Sequence, residues 1–193
     1  MSEQPTLDTE RLQLRPFAAA DAPAVQHLAG DRAIAEMTLH VPHPYTLDMA
    51  EGWIGTHAEQ FDKGAAVVFA IVRRDDSAVV GAMGLKIDAD DSRAELGYWI
   101  GLPFWGQGYC TEAARALLDY GFRDCGLRRV HATHFRRNPA SGRVMQKIGM
   151  SHEGTLRQHV CKWGEFEDVK VYGILREEFA SAQGMSRLGS RSG

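Results

Sequence analysis

The sequence has few cysteines, no long apolar run and no excess of either charge, and each of these shortages excludes a class of protein. Its three cysteines, Cys110, Cys125 and Cys161, are odd in number and widely spaced, with no CxxC pair. That argues against a disulfide framework or a zinc site, and free thiols suit a reducing compartment. The longest apolar run, Ala65 to Val72, is far too short to cross a bilayer. Lysines and arginines number 22 against 25 acids, a formal charge of −3. No basic field therefore points to nucleic acid, and no polybasic arm points to a membrane surface. The opening MSEQPTLDTE lacks the charged and apolar regions of a secretion signal, so a cytoplasmic chain is expected.

What is present fits an ordinary globule. With 44% hydrophobic and 24% charged residues, the 193-residue chain has the composition of one folded domain. A domain of that size buries roughly 70% of its unfolded surface and needs no staples. Residues 1–180 read as that single domain, and 181–193, rich in Ser, Gly and Arg, read as a disordered tail.

The alternation in RLQLRPF (Arg11 to Phe17) predicts a half-buried strand. Asp21 is positioned to cap a helix with Pro23 in its first turn, and a second helix is expected from about Asp31 to Met37. Leu39 to Thr46 holds two prolines and reads as a loop, after which Thr46 can cap a helix to about Asp62. Three strands follow, Ala66 to Arg74, Ala78 to Asp88 and Arg93 to Gly101, joined by links so short that they can only form antiparallel hairpins.

Ala114, Leu117, Leu118, Gly121 and Phe122 then mark one face of a helix. Arg128 to Phe135 reads as a strand, and NPASGRVMQKIGM as a short helix closed by Gly149. Two strands are expected around Gly164. The pattern is α+β: a mixed, mostly antiparallel twisted sheet flanked by helices, with one strand-helix-strand crossover at its centre.

The glycines Gly106 and Gly108 in PFWGQGYCTEA stand where that crossover helix begins. A helix start presents unpaired N–H groups and partial positive charge, and glycines just before it let a phosphate come close. A tight turn with no ligand would use the same residues. No GK[ST] follows, and the third glycine of GxGxxG is missing, so neither common nucleotide loop applies.

The segments AELGYWIGLPFWGQGYCTEAARALLDYGF and NPASGRVMQKIGM resemble the GNAT acyltransferase superfamily, in particular its RimJ/RimL-like branch. TERLQLRPF and GTLRQHVCKWGEFEDVKVYGIL resemble the same branch, so the likeness covers roughly residues 7 to 180. It implies a GNAT-like fold, acetyl-CoA as donor, and the donor's pyrophosphate on the loop of Trp105, Gly106, Gln107, Gly108, Tyr109 and Cys110. The usual Arg or Gln at the start of that loop is replaced by Trp105. The resemblance also implies that the strand from Glu95 to Gly101 leaves its neighbour near its end, so that the pantetheine arm can add like a strand. Pro103 agrees with pairing stopping there.

Acetyl transfer to an amine needs a proton acceptor, since a lysine-like amine has a pKa near 10.4. Glu95 matches a position where some relatives place a general base; a strand glutamate facing solvent is the plainer reading. Asn138 resembles the branch's cofactor-contacting asparagine and can also cap a helix before Pro139. The tyrosine acid that many superfamily members carry seven residues later is Met145 here, and Ser141 is the branch's polar substitute near the sulfur. Arg143 and Lys147 could meet an outer phosphate or simply form a solvated helix face.

The eight histidines form no metal-binding pattern: His131 and His134 fall on opposite strand faces, and His40 and His43 lie in a loop. No metal is expected. Cys110 at a helix start could be an activated thiol, but no partner base can be named for it.

The acceptor site implied by the resemblance contains His40, His43, Tyr45, Trp53, Trp163 and Phe166 with Glu36, Glu51, Glu165, Glu167 and Asp168. Aromatics and acids together suit a cationic amine, on a protein N-terminus or on a small molecule. A homodimer is compatible with this reading. The competing reading is an acyl-CoA-binding regulatory domain without turnover, which would keep the loop and lose the base and acid.

Overall fold

The computed structural model describes residues 3–189. Among them, eight strands form one sheet in the order β1-β2-β3-β4-β5-β6-β8-β7. They are β1 (Leu7–Asp8), β2 (Leu12–Arg15), β3 (Ala66–Arg73), β4 (Val79–Asp88), β5 (Arg93–Ile100), β6 (Arg129–Phe135), β7 (Ser151–Lys162) and β8 (Glu165–Leu175). Every neighbouring pair is antiparallel except β5 and β6, which are parallel. The exception is imposed by the helix between them, because only a crossover can return the chain to the same edge in the same direction.

Helices cover both faces. Helices α1 (Ala22–Ala29), α2 (Arg32–Met37), α3 (Leu47–Gly55) and α4 (His57–Asp62) precede β3; α5 (Tyr109–Arg123), α6 (Pro139–Lys147) and α7 (Arg176–Gly189) come later. The larger core lies under α5 and α6. There Leu117 and Leu118 meet Phe69, Met83, Leu85 and Leu96 from the sheet and Met145 from α6, all almost inaccessible. Each such side chain contributes about 1.5–3 kcal/mol, so truncating Leu118 to Ala would cost roughly 2–5 kcal/mol once the cavity is included. A smaller core on the opposite face joins Val25, Ala29, Ile34, Ala50 and Ile54 to Trp99 of β5. The α5 stripe expected from the sequence is buried at all five positions.

Three expectations are corrected. Asp21 does not cap α1: its carboxylate accepts from the Arg15 guanidinium at 2.7 and 2.8 Å and from Ala18 N at 2.8 Å. A partly buried ion pair with its hydrogen bonds filled outweighs a single capping bond. Burial pushes the Asp21 carboxyl up, but Arg15 and the Ala18 N–H hold it below the usual carboxylate range.

The helix capped by Thr46 does not run unbroken to Asp62. It divides between Gly55 and His57, where both the N–H and the hydroxyl of Thr56 turn back to Trp53 O (3.3 and 2.8 Å).

The expected tail from Ser181 is helical to Gly189, with residues 190–193 outside the described range. Leu175 N donates to Glu178 Oε2 (2.8 Å) and Phe179 packs into the main core, so the helix starts well anchored.

Candidate active site

Helix α5 opens from a left-handed turn. Gly106 has φ +75° and Gly108, directly before the helix, φ +82°, a region L side chains rarely adopt. A Cβ at Gly106 would meet nothing within 4 Å, so the backbone angle, not crowding, demands glycine there. Residues Trp105 to Gly108 are exposed. The bond from Glu112 N to Gly108 O (3.1 Å) begins the helical ladder. The N–H groups of Tyr109, Cys110 and Thr111 therefore have no partner within the helix. Trp105 differs from its neighbours: its N–H donates to Leu102 O (3.2 Å) and its indole to Ile100 O (2.6 Å), so it braces the turn.

The loop is held from the N-terminal segment, a link not evident in the sequence. Glu112 in the first turn of α5 accepts from Thr9 Oγ1 (2.7 Å), Arg11 N (2.8 Å) and Arg11 Nε (2.7 Å). Arg11 also donates to Gln107 O (3.0 Å) and lies over the Tyr109 ring, 4.8 Å from its centroid. Burial pushes the Glu112 carboxyl up, but Thr9 and Arg11 together hold it below the usual range.

The parallel ladder of β5 and β6 lasts only from Arg93↔Arg129 to Glu95↔His131. Beyond it β5 stays paired with β4 as far as Ile100, and β6 with β8 as far as Phe135. The sheet thus forks at Glu95, leaving the facing backbone edges of both strands outside the shared ladder. Gly97, on the Glu95 face of β5, is exposed and has nothing within 4 Å of a built Cβ. Glu95, half-buried, accepts from Thr133 Oγ1 of β6 at 3.4 Å.

Behind the fork, on the α5 and α6 side, Asn138 caps α6 by accepting from Ser141 N (3.3 Å). Ser141 meets the Tyr98 phenol at 2.8 Å through its hydroxyl. Arg143 and Lys147 are exposed on α6. Burial pushes the Cys110 thiol up to about 12, the reverse of activation at a helix start. His131 and His134 do occupy opposite faces; His134 is buried, its Nε2 filling the space beside Gly142. Among the described residues no group of three or more His, Cys, Asp or Glu could hold a metal.

On the acceptor side, three of the expected acids are paired with arginines: Glu36 with Arg32 (2.8 Å), Glu167 with Arg137 (2.6 Å) and Asp168 with Arg136 (3.2 Å). Arg137 also donates to Glu36 O (2.6 Å), tying the end of α2 to the β7–β8 hairpin. Buried Lys162 donates to Leu39 O and Val41 O (3.2 and 3.0 Å), fixing the α2–α3 loop to that hairpin. Trp53 packs into the smaller core against Phe17 and His57, while Trp163 and Phe166 are exposed. Glu95 is therefore the carboxylate at the fork with no cation bonded to it among the described residues.

Comparisons with known proteins agree with this geometry. The family description "Acetyltransferase (GNAT) domain" matches residues 11–151. The uncharacterized N-acetyltransferase p20 of Bacillus licheniformis is 31% identical over 176 residues, covering 91% of this chain and 98% of that protein. A GNAT-family acetyltransferase from Bacillus anthracis superposes with a TM-score of 0.80 at 26% identity, over 89% of this chain and 99% of its own. RimL, the ribosomal L7/L12 alpha-N-protein acetyltransferase solved with coenzyme A, gives 0.82 at 20% identity over 89% and 98%, a likeness of fold alone. A forked sheet, a glycine-led helix start below the fork and a family match spanning both lead to one conclusion: the chain belongs to the GNAT acetyltransferase family and is an acetyl-CoA-dependent acetyltransferase.

Proposed function

We propose that the chain belongs to the RimJ/RimL-like branch and moves the acetyl group of acetyl-CoA to a primary amine, with Glu95 as base. The observation that carries this reading is the fork itself, which begins at Glu95 and opens beside the glycine-led start of α5. The residues present fit the donor. Gly106, Gln107, Gly108, Tyr109 and Cys110 would hold the pyrophosphate through backbone N–H groups, and Asn138 and Arg143 border the same side. The free edge of β5 from Leu96 to Trp99 would take the pantetheine as an added strand. When bound, the group supplies an acetyl thioester.

The rest of the chemistry belongs to the chain. Glu95 accepts the proton of the incoming ammonium, directly or through one water, which frees the nitrogen lone pair. The Ser141 hydroxyl serves as the donor on the sulfur side. Cys110, half-buried with its thiol pushed up, is unsuited to carry the acetyl group, which supports direct transfer. The RimL neighbour acts on a ribosomal protein N-terminus, which supports a protein α-amine as one acceptor; amino acids, polyamines and amine-bearing antibiotics form the other group.

The test is a panel of such amines and of matching alcohols with acetyl-CoA, read as free thiol released. Thiol release with at least one amine is expected. Turnover with alcohols alone would sink the assignment.

A further inference from the structure

Ser141 depends on a partner that comes from the other arm of the fork. Tyr98 stands on β5, three residues past the last rung shared with β6, and Ser141 opens α6, which follows β6. The Tyr98 phenol lies 2.8 Å from Ser141 Oγ and 3.2 Å from Ser141 O. The phenol has one proton to give. The Ser141 carbonyl already serves the helical ladder of α6, where the N–H four residues on donates to it. The shorter contact is with the hydroxyl. With the phenol donating to Oγ, the serine proton is left free to point away from Tyr98.

We propose that Tyr98 is a positioning residue that orients the Ser141 hydroxyl as a hydrogen-bond donor to the coenzyme A sulfur. The inference rests on the acetyl-CoA reading above. Three further observations support it. Burial, and next the neighbouring Cys110, push the Tyr98 phenol well above the usual tyrosine range, so it stays a donor at neutral pH. Cys110, the titratable group facing it from α5, is itself pushed up to about 12 and stays neutral. On α6, Met145 is buried and a thioether offers no proton. The phenol thus reaches the first turn of α6 from 43 residues earlier in the chain.

The test uses coenzyme A itself on the full chain. Binding is measured by calorimetry, and the bound thiol is titrated through thiolate ultraviolet absorbance. A hydrogen bond to the thiolate favours ionisation. The bound thiol should therefore ionise more readily in the wild type than in Tyr98→Phe or Ser141→Ala, by roughly threefold to tenfold in the ionisation constant. The double variant should match Ser141→Ala, because the phenol acts only through the hydroxyl. In the same series kcat should fall about tenfold in each single variant and no further in the double one.

Tight binding with an identical thiol titration in wild type and Tyr98→Phe would overturn the positioning role alone. So would a further shift when Tyr98→Phe is added to Ser141→Ala. Absence of coenzyme A binding in the wild type would overturn the acetyl-CoA reading and this inference with it. Should Tyr98→Phe fail to fold, Ser141→Ala decides: a thiol titrating as in the wild type overturns the proposal.

Discussion

The two sides of the β5–β6 fork are built by different means. On the α5 and α6 side, backbone supplies the binding groups: two left-handed glycines, a helix start ahead of its ladder and the free edge of a strand, with Arg11 and Glu112 bracing the loop from outside. On the acceptor side, side-chain pairs between distant segments make the wall, as where Arg137 joins α2 to β8 and Lys162 joins the α2–α3 loop to β7. A backbone-built site is fixed by local residue types and tolerates many side chains. A side-chain-built wall depends on each pair, and three of its acids are matched by arginines before any substrate arrives.

The largest effect is expected where the two sides meet. Glu95→Gln keeps the shape and loses the proton acceptor. Its kcat should fall about 100- to 10,000-fold while coenzyme A affinity stays unchanged, as read by steady-state kinetics and calorimetry. Full kcat would mean that the base lies elsewhere.

Next in size is a stability effect confined to the acceptor side. His57 is buried between Phe17 and Trp53, its ring nitrogens have no hydrogen-bond partner among the described residues, and burial pushes its pKa down to about 4. The unfolded chain binds a proton near pH 6.5 and the folded one does not. The stability tied to this ring is therefore fully present above pH 6.5 and is lost as pH falls toward 4, by up to about 3 kcal/mol. Urea unfolding should show a shallower acid slope in His57→Phe; an unchanged slope would contradict a neutral buried ring.

On the donor side, Gly108→Val forces a β-branched residue to φ +82° at the mouth of the loop. A cost of about 1–3 kcal/mol, on the order of tenfold to a hundredfold in coenzyme A affinity, should follow. Smallest is Arg137→Ala, which frees Glu167 and the end of α2. Roughly 1 kcal/mol should appear as a severalfold rise in the acceptor KM, with the acetyl-CoA KM unmoved. A rise in the acetyl-CoA KM instead would erase the division between the two sides.

Separation along the chain, on either side of the fork, explains what the sequence revealed. The hairpins of β3, β4 and β5 follow from alternation and short links, and the α5 stripe and the Gly149 helix end from local pattern. Gly106 and Gly108 were legible because only glycine holds those angles cheaply. The residues that escaped notice act across distance. Arg11 reaches Glu112 over 101 residues, and Tyr98 reaches Ser141 over 43. The arginines that neutralise Glu36, Glu167 and Asp168 follow the same rule in part: Arg136 and Arg137 are 32 and 30 residues from their partners, although Arg32 is only a turn from Glu36. Asp21 shows the limit at short range, where a cap and an ion pair compete for one carboxylate and the partner on β2 decides.

Titrating coenzyme A into the protein and following each backbone amide by NMR shows whether the glycine loop and the open fork form the acetyl-CoA site. The largest shifts are expected at Gly106 to Cys110, followed by Leu96 to Ile100 on β5. Saturable binding that leaves those amides unmoved and perturbs the hollow of Gln26, Gly30, His43 and Tyr45 instead would contradict that site.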